Sequence, residues 1–384
     1  MLNLSFKRSK SKGQNRMAKI RLSNFELIRI LAMFLIVLHH SIVHGVCDVS
    51  DNLSNVSAHW LNGGVAYVLG SGGKIGVFLF VLITGYFMLY SKISLGKIIK
   101  VWFPVFFWSV LLFICFDLFE SGWNLKSFVR AIFPIIFGEY WFMTTYVFMY
   151  LLIPFLNKVA VSVNTNFKKI YFLMISFIIL ISNFSEISGL HENLASNLAY
   201  FCIIYIFGAL LRKDNVLNNN TWVSLAKKVF IIFIFLDIIV IMSATFLGSR
   251  LHKMFFFGLA KEIVVNYWSL IPVVLSIALF VIIGSKKIKY NSVINQIAAT
   301  TFGIYLISDN QHVQSWLWHS VFHMGKMLYQ PILVMILYAF GVSILVFCVC
   351  GLLDFIRELI FKKFENSICF YFNKLQKKIM IRVN

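Results

Sequence analysis

Charge is scarce in this chain. Asp, Glu, Lys and Arg make up 13% of its 384 residues, against roughly 25% in an ordinary soluble domain. Apolar residues make up 60% and the mean hydropathy is +0.83. A surface so poor in charge excludes an ordinary water-solvated protein, and the bilayer becomes the main solvent. Long polar inserts are also missing, so the length reads as one membrane domain rather than several soluble ones. Cysteine spacing carries no signal: Cys47, Cys115, Cys202, Cys348, Cys350 and Cys369 are scattered, with no C-x-x-C pair. That argues against a zinc site or a disulfide framework. No internal repeat is visible, which removes the usual support for an inverted-repeat transporter. The net charge of +20 lacks the aromatic-interleaved basic domain of a nucleic-acid binder.

What is present is a series of apolar segments. A hydrocarbon core of ~30 Å needs ~20 helical residues. On that basis the spacing predicts an all-α polytopic membrane protein of about ten transmembrane helices. The segments are 24–46, 75–90, 101–118, 140–156, 170–185, 198–211, 229–247, 268–284, 297–313 and 331–352. With both termini in the cytoplasm, inner loops hold Lys92, Lys97, Lys100, Lys158, Lys168, Lys169, Arg212, Lys213, Lys227, Lys228, Lys286, Lys287 and Lys289. The opposite loops hold fewer basic residues: Lys74, Lys126, Arg130, Arg250, Lys253, Lys261 and Lys326. Positive charge stays inside, which sets this orientation. Residues 1–23 read as a basic cytoplasmic arm without a cleavable leader, and 24–356 as the membrane domain. The basic tail, 357–384, reads either as an amphipathic helix on an anionic leaflet or as an extension of the last helix.

The first helix, with the stretch RILAMFLIVLHH (Arg29 to His40), carries ionisable groups where they are costly. Glu26 and Arg29 are three apart and can pair. Arg29 and His40 are eleven apart, about three turns and ~16 Å along one face. His44 lies one turn further on, and His39 is rotated by about 100°. One polar stripe, Glu26–Arg29–His40–His44, therefore runs toward the outer side.

ELIRILAMFLIVLHH resembles the opening helix of the acyltransferase-3 family, integral membrane acyltransferases of surface polysaccharides. Four more stretches are similar to family patterns, in order. These are GGKIGVFLFVLITGYFM, with Thr84 where serine is usual; LGKIIKVWFP, with Lys97 and Lys100 in place of a common Arg-x-x-Arg; YWFMTTYVFMYLLIPFLN; and TTFGIYLISDN, with Ser308 where histidine often follows. The absence of an added soluble domain resembles the subgroup that acts on exopolysaccharide or capsule.

The resemblance implies transfer of an acetyl group from cytoplasmic acetyl-CoA to a hydroxyl of an exopolysaccharide, capsule or polyprenyl-linked sugar, in the cell membrane. No further cofactor, metal or nucleic acid is expected; membrane lipids are. Histidine titrates near neutrality, so His40 is the candidate base or transient acyl carrier, with His39 as runner-up. Glu26 joins the catalytic set by orienting Arg29. Arg29, Lys97 and Lys100 are candidates for the CoA phosphates. Trp141, Glu139, Tyr305 and Asp309, with Tyr146 and Asn310, are candidates for the acceptor, since aromatics stack on sugar faces and carboxylates and amides bind hydroxyls. Two other classes stay open: a flippase of lipid-linked sugars using the same stripe, and a non-catalytic subunit of a polysaccharide synthase.

Overall fold

The computed structural model describes residues 22–48, 57–117, 124–182, 194–265 and 270–383. Most of the basic arm and the start of the eighth segment lie outside them. Among the described residues every regular element is helical. The helices are α1 (Ser23–Ser41), α2 (Trp60–Gly70), α3 (Gly72–Met88), α4 (Leu95–Leu112), α5 (Leu125–Ile132), α6 (Trp141–Ser162), α7 (Asn166–Ser182), α8 (Leu194–Lys213), α9 (Asn220–Leu251), α10 (Met254–Val265), α11 (Leu270–Gly284), α12 (Ser292–Ser308), α13 (Gln311–Ser315) and α14 (Ile332–Val383). Each apolar segment expected from the sequence carries a helix. By length and composition, seven helical stretches among the described residues suffice to cross a membrane, and Ser292–Ser308 is a shorter apolar helix.

The centre of the bundle is α1, which packs against α3, α11, α12 and α14. Its apolar residues are buried on several sides, including Phe25, Ile28, Ala32, Met33, Ile36 and Val37. In lipid, helices associate by close packing rather than by hydrophobic exclusion, so small residues mark their contacts. A Cβ on Gly73 would overlap the His39 ring. Gly85 and Gly208 each lie against the backbone of the other's helix, which lets α3 and α8 touch main chain to main chain. Around this core, α9 turns Ile231, Ile232, Phe235 and Ile239 outward, and α14 does the same with Leu333 and Leu337. Apolar side chains on the outside are what a lipid solvent requires.

Two expectations need correction. Lys74 is not in a loop: it lies in the first turn of α3, with only 6% of its surface exposed. The apolar run begins earlier than its composition suggests, because α2 continues through Ser71 into α3. Asp309 is not inside a helix but caps the C-terminus of α12. A helix C-terminus carries partial negative charge, so a carboxylate there needs a donor. Of the two forms left open for the tail, the structure has the helical extension. It continues α14, whose 52 residues rise about 78 Å, far beyond a ~30 Å hydrocarbon core.

That extension grips α4. Asp354 accepts from Trp108 Nε1 at 2.9 Å and from Arg357 Nε at 2.6 Å, and Arg357 also pairs with Glu365. Phe103 packs on Phe361 and Phe364. Asn373 Oδ1 accepts from Ser94 Oγ at 2.6 Å and from the Gly96 amide at 3.1 Å. Buried charge is costly unless paired, and here each charge has a partner. These contacts fix the start of α4, where Lys97 and Lys100 sit. Pro104 removes the amide that would bond the Lys100 carbonyl, loosening that turn.

Candidate active site

A cavity of about 390 Å³ lies between α1, α3, α4, α6 and α12. Its walls are mostly apolar: Met33, Ile36, Val77, Phe80, Ile83 and Phe302 take part. Basic side chains stand at one end. Arg29 lines it, and its Nη1 donates to both Glu26 oxygens at 2.9 Å. The Arg29 side chain is 33% exposed and that of Glu26 6%, so the carboxylate is shut away while the guanidinium opens on the cavity. Lys100 joins Arg29 there. About three helical turns along α1, ~16 Å of rise, His40 lines the same cavity.

His40 is held from outside the cavity. Its Nε2 lies 3.3 Å from Asp309 Oδ1. Gln314 Nε2 supplies that carboxylate with another donor, at 3.3 Å. The Asp309 contact places the imidazole proton on Nε2 and leaves a lone pair on Nδ1. Nδ1 is buried and has no hydrogen-bond partner among the described residues. His39 behaves differently: its Nδ1 meets the Gly70 carbonyl at 2.7 Å, which ties it into the α1–α2 packing. The helix widens into a π-helical turn at Ile42–Val46, and this sets His44 with its ring 5.5 Å from that of His40. Further out, His319 Nε2 pairs with Asp48 at 3.0 Å.

Donor atoms of His40, His44 and Asp309 lie within 4.8 Å of one another. A tetrahedral zinc at ordinary bond lengths needs donors about 3.3 Å apart. One of the three pairs already meets as an ion-pair contact at 3.3 Å, and the buried Lys74 is near enough to act on both histidines. We read the trio as a base with a carboxylate beside it, since a nearby cation opposes a divalent ion.

The sequence-derived candidates divide as follows. Arg29, Lys100, His40, Trp141, Tyr146 and Tyr305 all line the large cavity. Glu26 reaches it through Arg29, and Asp309 through His40. Trp141 and Tyr305, expected on the acceptor, therefore share the space that also holds Arg29 and Lys100. Three candidates stand elsewhere. Lys97 is exposed, and its Nζ lies 3.4 Å from Met88 Sδ. Glu139 pairs with Arg130 at 2.8 Å in a second cavity, a polar one that Asn310 also lines.

Two residues were missed as site candidates. The Lys74 ammonium stands 5.3 Å from the centre of the Trp141 ring; a lysine inside GGKIGVFLF was the available signal. Thr84 lines the cavity and its hydroxyl meets Tyr146 Oη at 3.2 Å. Threonine keeps the hydroxyl that serine would offer.

A family model described as an acyltransferase domain, that of acyltransferase-3, matches residues 22–355. The chain belongs to the acyltransferase-3 family. It is thus a membrane acyltransferase, and the match takes in α1 to α13 and the first part of α14. No curated protein and no solved structure matches this acyltransferase.

Proposed function

We propose that this acyltransferase moves an acetyl group from cytoplasmic acetyl-CoA to a sugar hydroxyl of an exopolysaccharide, capsule or lipid-linked glycan. One observation carries the reading. A single cavity has a carboxylate-braced arginine and a lysine at one end, and an aspartate-held histidine at the other. Arg29 and Lys100 suit the phosphates of CoA, and arginine adds paired donors that lysine lacks. From there an extended pantetheine arm reaches the level of His40. The apolar walls keep out water, which would hydrolyse the thioester.

At His40, Nδ1 takes the proton of the acceptor hydroxyl as its oxygen attacks the thioester carbon. The C–O bond forms, the carbonyl becomes an oxyanion, and the C–S bond breaks on collapse. His40 then returns the proton to the departing CoA thiolate, so the products are the sugar ester and CoA thiol. Asp309 stabilises the imidazolium that forms between these steps. We assign the balance of the oxyanion to Lys74, whose ammonium stands 5.3 Å from the ring of the cavity-lining Trp141. The test is acetyl transfer from labelled acetyl-CoA to glycan in membranes holding either the wild type or His40→Ala. Transfer lost in the variant at equal protein level supports the reading; full transfer in the variant refutes it.

A further inference from the structure

We infer that the second cavity, between α4, α5 and the α12–α13 junction, is a subsite for one neutral sugar ring of the acceptor, an inference that rests on the acyl transfer proposed above. Its volume is about 160 Å³, room for about five waters at ~30 Å³ each or for one six-membered ring in their place. Its chemistry contrasts with that of the large cavity. Ser109, Ser127 and Gln311 line it, and their side chains have no hydrogen-bond partner among the described residues. Each hydroxyl can donate and accept, and the amide offers both functions at once, which is what a polyol needs. Phe113 supplies an apolar wall for a ring face.

The ion pair of Arg130 and Glu139 sets the charge of the ligand. The two close on each other at 2.8 Å, so their charges cancel, and His312 is the one further titratable side chain on the cavity wall. A uronic acid would have to displace Glu139 from Arg130 and leave that carboxylate unpaired. A neutral ring costs no such exchange.

Position links the cavity to the chemistry. Asn310 lines it, and the preceding residue, Asp309, holds His40. Asn310 Nδ2 donates to Tyr140 Oη at 3.1 Å, and Tyr140 Oη donates to the Leu306 carbonyl at 3.1 Å. The Tyr140 ring in turn stands against Tyr305, which lines the large cavity. The wall between the two cavities is thus built from Asp309, Asn310, Tyr140 and Tyr305. His40 lines the large cavity and not this one, so the ring held here is a neighbour of the ring that reacts.

The experiment measures transfer from [14C]acetyl-CoA to the glycan of isolated membranes, together with acetyl-CoA binding to the purified protein. Ser127→Trp fills the cavity, and Gln311→Ala removes one partner without bulk. The inference predicts at least tenfold less transfer in Ser127→Trp and a severalfold loss in Gln311→Ala, with donor binding within twofold of wild type in both. It also predicts that methyl hexosides compete with the glycan better than methyl glucuronoside does. Unchanged transfer in Ser127→Trp overturns it, as does unchanged transfer in Gln311→Ala should Ser127→Trp fail to fold. Better competition by the glucuronoside overturns the neutral-ring assignment. A wild type that transfers no acetyl group removes the proposed function and this inference with it; active wild type with unaffected variants removes this inference alone.

Discussion

Asp309→Asn removes a charge from the group that holds His40 and keeps its shape. At 3.3 Å and an effective dielectric constant of 20, a full charge pair is worth about 5 kcal/mol. An imidazole that carries about half a unit of charge at the transition state draws about half of that, ~2.5 kcal/mol. At 1.36 kcal/mol per decade this is a ~70-fold loss in rate. The asparagine oxygen keeps its lone pairs beside Nε2, so the tautomer survives and only the charge is lost. The donor end of the cavity lies ~16 Å away along α1, so KM for acetyl-CoA stays within about twofold. Initial rates on labelled acetyl-CoA in membranes, normalised to protein level, separate the two constants. Asp309→Glu recovers part of the loss. An unchanged kcat in Asp309→Asn, or a KM for acetyl-CoA that rises as kcat falls, refutes the positioning role.

Other outcomes follow from the same geometry. Arg29→Ala removes hydrogen bonds to charged phosphates worth about 1.5–3 kcal/mol; KM for acetyl-CoA should rise ~10- to 100-fold with kcat little changed. Lys100→Ala should raise it less, and the difference from wild type should shrink as salt is added, because Lys100 is exposed. Lys74→Met should lower kcat by ~10²–10³, the usual loss for one oxyanion partner, without affecting the donor KM. Arg357→Ala leaves Asp354 and Glu365 buried without their cation, a change that costs about 3–5 kcal/mol. Thermal unfolding in detergent should show this as a lower Tm, while the donor KM of the remaining folded protein stays constant.

Much of this arrangement was legible in the sequence, because a bilayer limits what a chain can do. Long apolar runs must become helices to satisfy their amides, and every expected run carries one. The eleven-residue spacing of Arg29 and His40 predicts a shared face, and both side chains do open on one cavity. What composition hides is the exact end of a helix. A boundary set three residues late, at Ile75, put Lys74 in a loop, although α3 starts at Gly72 and buries it. A polar end to the ninth segment hid that Asp309 caps α12 instead of sitting within it. The polar cavity was not legible, since it joins Ser109, Ser127 and Gln311 from three separate elements. Nor was the grip of α14 on α4, which depends on pairs as distant as Gly96 and Asn373.

The central claim is that His40 does the chemistry at the meeting point of donor and acceptor. The most direct measurement is proton NMR of the surface glycan from cells that carry the wild-type chain, His40→Ala, or no chain. A general base contributes ~10²–10⁴ in rate, so His40→Ala glycan should lack O-acetyl signals as fully as glycan from cells without the chain, at equal protein level in the membrane. Wild-type O-acetylation in the His40→Ala cells would contradict the account.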